Sequence, residues 1–556
     1  MTGAATPRAP HGSGRSTIVV GGGIAGLATS ILLANDGHRV RLFERNDVVG
    51  GRAATERRDG FRFELGPSWF LMPKVFERFF RLAGTSLERE LDLVTLDPAY
   101  RVYPEPTRGQ AASTPITVPR GRAAVEELVE RLEPGGRAKL VRYLRSAART
   151  EDLAERFFLY NTFRDLSSIL HRDVLRALPE LLGLLGTSLE RFVARRFEHP
   201  VLRQILGYPA VFLGTSPAAA PAIYHMMSKL DLEDGVRYPM GGFAALVDTL
   251  ERLAIDAGVD IVTDAEVTRI TTTARRGRVL GHRRTATGIT WCGSDGTDHR
   301  ERADLVVSAA DLHHTETRLL DDVDRSYPER WWERVESGPG AVIVTLGVSG
   351  RLPQLPHHTL LFTEDWAANF GDVFGDPGRV PDPGSIYVCK PSATDPDVAP
   401  PDHENLFILF PVPADPTLGA PGDERFDRAV EQSIDQLASW AGIPDLRSRI
   451  VTRGQIGPRA FAERYHSWRG GMLGPAHVLR QSAMFRAQNA SRRVRGLYYA
   501  GATTAPGVGV PMCLISAELV LKRIRDDRSP GPLVTLTDDG SERVPTDGGR
   551  LRRGGR

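Results

Sequence analysis

The sequence predicts an α/β fold, in which a domain with a parallel sheet is assembled from separated stretches of chain and joined to a mixed α+β domain that carries a second sheet and a helical insertion. Three observations predict it. The β-branched run Ile18-Val19-Val20 meets glycines at 21, 23 and 26 and then a helix-periodic stretch from Leu27 to Ala34, the strand, turn and helix order of a Rossmann-like βαβ unit. Strand-like apolar runs return much later, at 259–262, 304–309 and 497–502. Between 341 and 413 lies a separate group, AVIVTLGV, HTLLF, SIYVC and ENLFILFPV, spaced by prolines and aspartates. They read as the second sheet.

Each residue of the opening unit has a physical task. Gly21 permits the tight turn, Gly23 lets the backbone approach a pyrophosphate, and Gly26 lets the helix pack closely on its strand. The pyrophosphate would sit on the unpaired N–H groups of the helix N-terminus. A second strand, Arg39 to Phe43, ends in Glu44, placed to accept both hydroxyls of an adenosine ribose. The glycine motif by itself leaves NAD and FAD open. Gly50-Gly51-Arg52 follows, with two glycines able to wrap the pyrophosphate and an arginine able to offset its charge. This resembles the extended fingerprint of FAD-dependent oxidoreductases of the amine oxidase and phytoene desaturase kind, and the resemblance implies bound FAD.

Composition narrows the classes. The 556 residues favour two or more domains. A net charge of +2, without a basic stripe interleaved with aromatics, gives no case for nucleic acid. All but five of the 71 basic residues are arginine, which reads as coding bias rather than phosphate recognition. Cys292, Cys389 and Cys513 lack partner histidines at ligand spacing, so neither a disulfide framework nor a metal site is expected. No apolar segment suits a signal peptide or a bilayer span. A cytoplasmic protein is expected.

Taken in order, residues 1–15 and 526–556 are poor in apolar residues and are expected to be disordered. The nucleotide domain is expected from 16–110, 231–312 and 487–525, a helical region from 111–230, and the second-sheet domain from 313–486. Gly60 to Ser68 alternates apolar and polar residues before breaking at Gly66-Pro67. Asp173 to Phe197 repeats Val174, Leu178, Leu181, Leu182, Leu185, Leu189, Phe192 and Val193 at helical spacing, with Pro179 as a boundary or kink. By itself that periodicity reads as a face packed on its own domain. The strand Leu497 to Ala502 leads through Pro511 into an apolar helix from Met512 to Ile524, whose N-terminus would point positive partial charge at a ligand.

Tyr238-Pro-Met-Gly-Gly-Phe-Ala-Ala-Leu246, Ala310-Asp311, Lys390-Pro-Ser-Ala-Thr-Asp-Pro396 and Gly501-Ala-Thr-Thr-Ala-Pro-Gly-Val-Gly-Val-Pro511 resemble the bacterial-type carotenoid phytoene desaturases from about residue 16 to 525. The resemblance implies an FAD-dependent desaturation of a C40 polyene, phytoene toward neurosporene or lycopene, by hydride transfer to the flavin and then proton loss. Oxygen or a quinone would be the electron acceptor. It sets Gly66, Pro67, Val267, Asp311, Gly501, Val510, Pro511 and Met512 against the cofactor. It matches Arg164 and Asp165 to a pair considered near the flavin, with Tyr465 and His466 as a second candidate pair. One departure is Ala505, where the family often has histidine. A bilayer-dissolved substrate implies peripheral association with the inner face of the cell membrane, which gives the 173–197 helix a second possible role. The same fold also serves later-step carotenoid desaturases, carotenoid isomerases, amine oxidases and non-catalytic prenyl-protein escorts.

Overall fold

The computed structural model describes residues 14–107, 109–110, 112–165, 170–274 and 284–534. A five-stranded parallel sheet runs in the order Leu497–Tyr499, Leu305–Ser308, Ser16–Val20, Arg39–Phe43, Asp260–Val262. Parallel strands are covered on both faces, so they need continuous apolar runs rather than alternation. Val19, Val306 and Val307 are accordingly fully buried. The opening helix Ile24–Asn35 and the closing helix Val510–Ile524 share one core, in which Leu27 and Ile31 join Leu514 and Ile515. The first and last strands of the described chain thus stand two places apart in one sheet.

A seven-stranded sheet runs Ile450–Ile456, Gly340–Ser349, His403–Val412, Ile386–Cys389, His358–Phe362, Tyr100–Pro104, Ile116–Val118. Its central pair, Gly340–Ser349 with His403–Val412, is antiparallel over ten residues. Tyr100–Pro104 pairs parallel with His358–Phe362. This strand therefore belongs to the second sheet and not to a nucleotide segment ending at 110. Arg101 and Pro104 within it and Pro98 before it hide the strand in the sequence.

The helix expected from 173 to 197 is two helices, Arg172–Leu185 and Leu189–Ala194. The first runs through Pro179 and stops at Gly186, and the Ser188 side chain accepts from the Arg191 N–H to start the second. Nor is the leucine stripe one buried face: Val174 and Leu181 are buried, whereas Leu178 is 40% and Leu182 59% exposed. Among the described residues no helix is long and apolar enough to cross a membrane.

The disorder expected from 526 onward is corrected over 526–534. The closing helix buries Lys522 completely and Glu518 almost so, and buried charges need partners. Lys522 Nζ donates to the carbonyls of Ser529, Gly531 and Tyr160, and Glu518 accepts from the Leu533 N–H and from Arg78. The rest of the tail, like residues 1–13, lies outside the described residues.

Candidate functional site

A cavity of about 710 Å³ opens at the C-terminal ends of the parallel strands and is walled on its other side by the second sheet and the helical region. Gly21, Gly23, Glu44, Gly50, Gly51, Arg52, Gly66, Pro67, Val267, Asp311, Gly501, Val510, Pro511 and Met512 all line it, as do Tyr465 and His466. Gly26 lies behind this lining. A Cβ on it would stand 1.9 Å from the Gly21 carbonyl oxygen, so the helix can approach its strand only with glycine there.

Arg164 and Asp165 are not brought to this cavity. Both are exposed and absent from its lining, and Arg164 is ion-paired with Asp526. They follow Asn161 and Phe163, which do line the cavity, but the chain turns outward after Phe163, whose φ of 51° is left-handed. A side chain in water cannot serve a reaction that must be kept dry, so the expected catalytic role for this pair is corrected.

The nucleotide half of the cavity is polar and tightly tied. Glu44 is buried, its Oε2 accepting from the Gly22 N–H at 2.7 Å and its Oε1 from the Asn46 N–H at 2.9 Å. Arg52 donates to Ser467 Oγ at 2.9 Å and stands 3.8 Å from Asp311. Asp311 caps the short turn at 312–314 by accepting from the His313 N–H, and burial raises its pKa against the pull of Arg52. His466 stacks on His314 with ring centroids 3.8 Å apart, and Arg45 donates to His466 Nε2. Burial, then His466 and Arg45, push His314 down to about 3, so that ring is neutral at physiological pH.

The other half is apolar, lined by Trp69, Leu181, Tyr208, Phe212, Phe362 and Phe370. Two polar groupings in its wall were not found in the sequence. Ser68 and Tyr387 line the cavity and lead to His358; Tyr224, His477 and Ser482 form the other. The readable trace of the first was His357-His358 at the head of an apolar strand. Sequence spacing also hid a neighbour of Cys389. His358 and Cys389 are register partners across two strands, and His357, His358 and Cys389 bring potential ligand atoms within 4.8 Å of one another.

The residues fit FAD. A Cβ on Gly23 would meet nothing within 4 Å, so the backbone is bare on that side. Gly23 also caps the opening helix without a side-chain hydrogen bond, which leaves N–H groups for a pyrophosphate. The closing helix, likewise without a side-chain cap, brings Val510, Pro511 and Met512 to the same cavity.

The chain matches the family of flavin containing amine oxidoreductases over residues 24–524. It is 40% identical over 519 residues to a carotenoid 3,4-desaturase of Haloarcula japonica, across 93% of this chain and 99% of that one. It is 32% identical over 513 residues to a zeta-carotene-forming phytoene desaturase of Myxococcus xanthus, across 92% and 94%. Among solved structures, an oxidoreductase from Methanosarcina mazei covers 91% of this chain and 100% of its own at a TM-score of 0.59 and 17% identity. A putrescine oxidase bound to putrescine covers 92% and 98% at 0.57 and 15%, and a Rab GDI from Plasmodium falciparum 93% and 99% at 0.51 and 10%; these share the fold. With a glycine and glutamate cradle at one end of a single cavity and a family match spanning nearly the whole chain, this protein belongs to the flavin containing amine oxidoreductases and is an FAD-dependent oxidoreductase.

Proposed function

We propose that the protein desaturates an acyclic carotenoid. The observation that carries this reading is that the nucleotide cradle continues, within one cavity, into an apolar chamber: the acids lining that cavity, Glu44, Glu266 and Asp311, all stand in its nucleotide half. A hydrocarbon suits such a chamber, whereas an amine substrate would bring a charge with no carboxylate to meet it there. FAD, when bound, supplies the two-electron oxidation that no side chain can perform. Gly21, Gly23 and the uncapped N-terminus of the opening helix would hold its phosphates, the uncapped N-terminus of the closing helix would face the pyrimidine edge of the flavin, Glu44 would hold its ribose, and Arg52 would offset its charge. The chamber aligns the polyene and excludes water, because an unactivated allylic C–H is too weak an acid for any base to act first. Reoxidation would fall to oxygen or a quinone.

A carotenoid 3,4-desaturase and a zeta-carotene-forming phytoene desaturase are both among the relatives. The 40% identity to a 3,4-desaturase favours a partly conjugated substrate as the second reading beside phytoene. Expression in hosts that accumulate phytoene or lycopene, followed by pigment chromatography, separates the two. Phytoene converted to longer chromophores supports the first, and lycopene converted with phytoene untouched supports the second. Both pigments unchanged, with flavin bound, would overturn the desaturase reading.

The mouth of the cavity supports peripheral membrane association. Leu479 and Phe485 line the cavity and are 46% and 63% exposed. Helix Arg172–Leu185 lends Leu181 and Leu185 to the lining and leaves Leu175, Leu178 and Leu182 exposed beside the exposed Arg172 and Arg176. Apolar side chains flanked by arginine suit an anionic bilayer surface.

A further inference from the structure

Of the two histidine-bearing groupings in the wall of the apolar half, Tyr224–His477–Ser482 and Ser68–Tyr387–His358, only one has room for another proton. In Tyr224–His477–Ser482, Nε2 of His477 accepts from the Val508 N–H at 3.2 Å, so its hydrogen sits on Nδ1 and is given to Tyr224, which donates to Ser482 at 2.8 Å. Every lone pair of that imidazole is used, and the grouping holds the 507–508 loop in place.

The other grouping is open. Ser68 Oγ lies 2.7 Å from the Tyr387 hydroxyl, which lies 2.8 Å from Nδ1 of His358. Ser68 and Tyr387 line the cavity, while His358 stands behind them, wholly buried and stacked on Trp69 at 4.6 Å. Among the described residues its Nε2 has no hydrogen-bond partner, an unmet bond that costs the fold about 1–3 kcal/mol. Burial keeps both His358 and Tyr387 uncharged. Either neutral arrangement satisfies the bonds: tyrosine donating to Nδ1 and accepting from serine, or the reverse.

We propose that Ser68, Tyr387 and His358 form the relay that takes the proton released in desaturation, an inference that rests on the carotenoid reading. One allylic carbon loses hydrogen with both bonding electrons, the oxidant being FAD. The neighbouring C–H bond then breaks, its electron pair becomes the new π bond, and its proton passes to the Tyr387 oxygen as Tyr387 hands its own to His358 Nδ1. The charge thus appears one residue behind the wall, and the surface touching hydrocarbon stays neutral. An allylic cation is so strong an acid that an imidazole kept neutral by burial still accepts from it. After product leaves, the proton returns along the same bonds to water entering the cavity.

The test uses FAD-loaded Y387F, H358N and S68A with substrate deuterated at the carbon that loses the proton. A normal flavin spectrum reports a folded site. The relay requires kcat to fall about 100-fold in Y387F and H358N, KM to stay within about threefold, and the isotope effect at that carbon to grow. S68A, which shortens the chain without cutting it, should fall less. Wild-type rates in either of the first two, or a change confined to KM, would overturn the relay. If wild type itself oxidises no carotenoid, the desaturase reading falls instead, and the relay with it.

Discussion

At Gly26 a methyl group would overlap the Gly21 carbonyl, with backbone on one side and a fully covered helix on the other, so no rotamer relieves the clash. G26A should lose about 3 kcal/mol or more and purify with little flavin; a yellow G26A that melts with wild type would contradict the assignment. Asp231 makes a second prediction at this scale. It is buried, accepts from the Tyr100 hydroxyl at 2.9 Å, and burial lifts its pKa to about 7. A carboxyl that binds its proton more tightly when folded destabilises the fold as pH rises from the ordinary aspartate value through 7, by up to about 1.4 kcal/mol per pH unit. D231N should flatten that slope between pH 4 and 7 in urea titrations, and an unchanged slope would count against it. The glycines and Glu44 were legible because each answers a single local requirement. Ser68, Tyr387 and His358 were not, since Ser68 lies in a loop 319 residues before Tyr387 and Tyr387 meets His358 only through the pairing of their strands, and Arg164 and Asp165 misled because a two-residue match carries no direction.

Among elements, the helix Arg172–Leu185 shows what periodicity can and cannot tell. Its spacing correctly announced a helix, but the same leucines serve three surroundings: Leu184 in the core, Leu181 and Leu185 at the cavity, and Leu178 and Leu182 in solvent. Removing the last two apolar side chains by L178E/L182E should weaken binding to anionic liposomes about 30-fold, taking roughly 1 kcal/mol for each half-buried leucine, with the flavin spectrum unchanged. Binding equal to wild type would exclude this helix from the docking face. The 526–534 strap makes the opposite case, since its own composition suggests disorder and its order comes from the charges it satisfies in the closing helix. A chain ending at residue 525 would leave Lys522 and Glu518 short of partners and should melt several degrees lower; an unchanged melting temperature would show the strap to be dispensable.

At the scale of the molecule, the parallel sheet was readable because its strands are short buried runs meeting glycine turns, and because the first and last of these carry specific motifs. The boundary between the sheets was less so, as the misplaced Tyr100–Pro104 strand shows. The likeness to a Rab GDI at 10% identity is one of fold alone, and here Gly50, Gly51, Arg52 and the bare Gly23 argue for a held flavin. The central claim is that a flavin gripped by both ends of the chain oxidises a hydrocarbon in the adjoining apolar chamber. Anaerobic titration of the yellow holoprotein with carotenoid in detergent micelles tests it most directly. The flavin band should bleach in step with the appearance of a longer polyene chromophore, whereas a band that no carotenoid bleaches, but that an alkylamine does, would contradict the account.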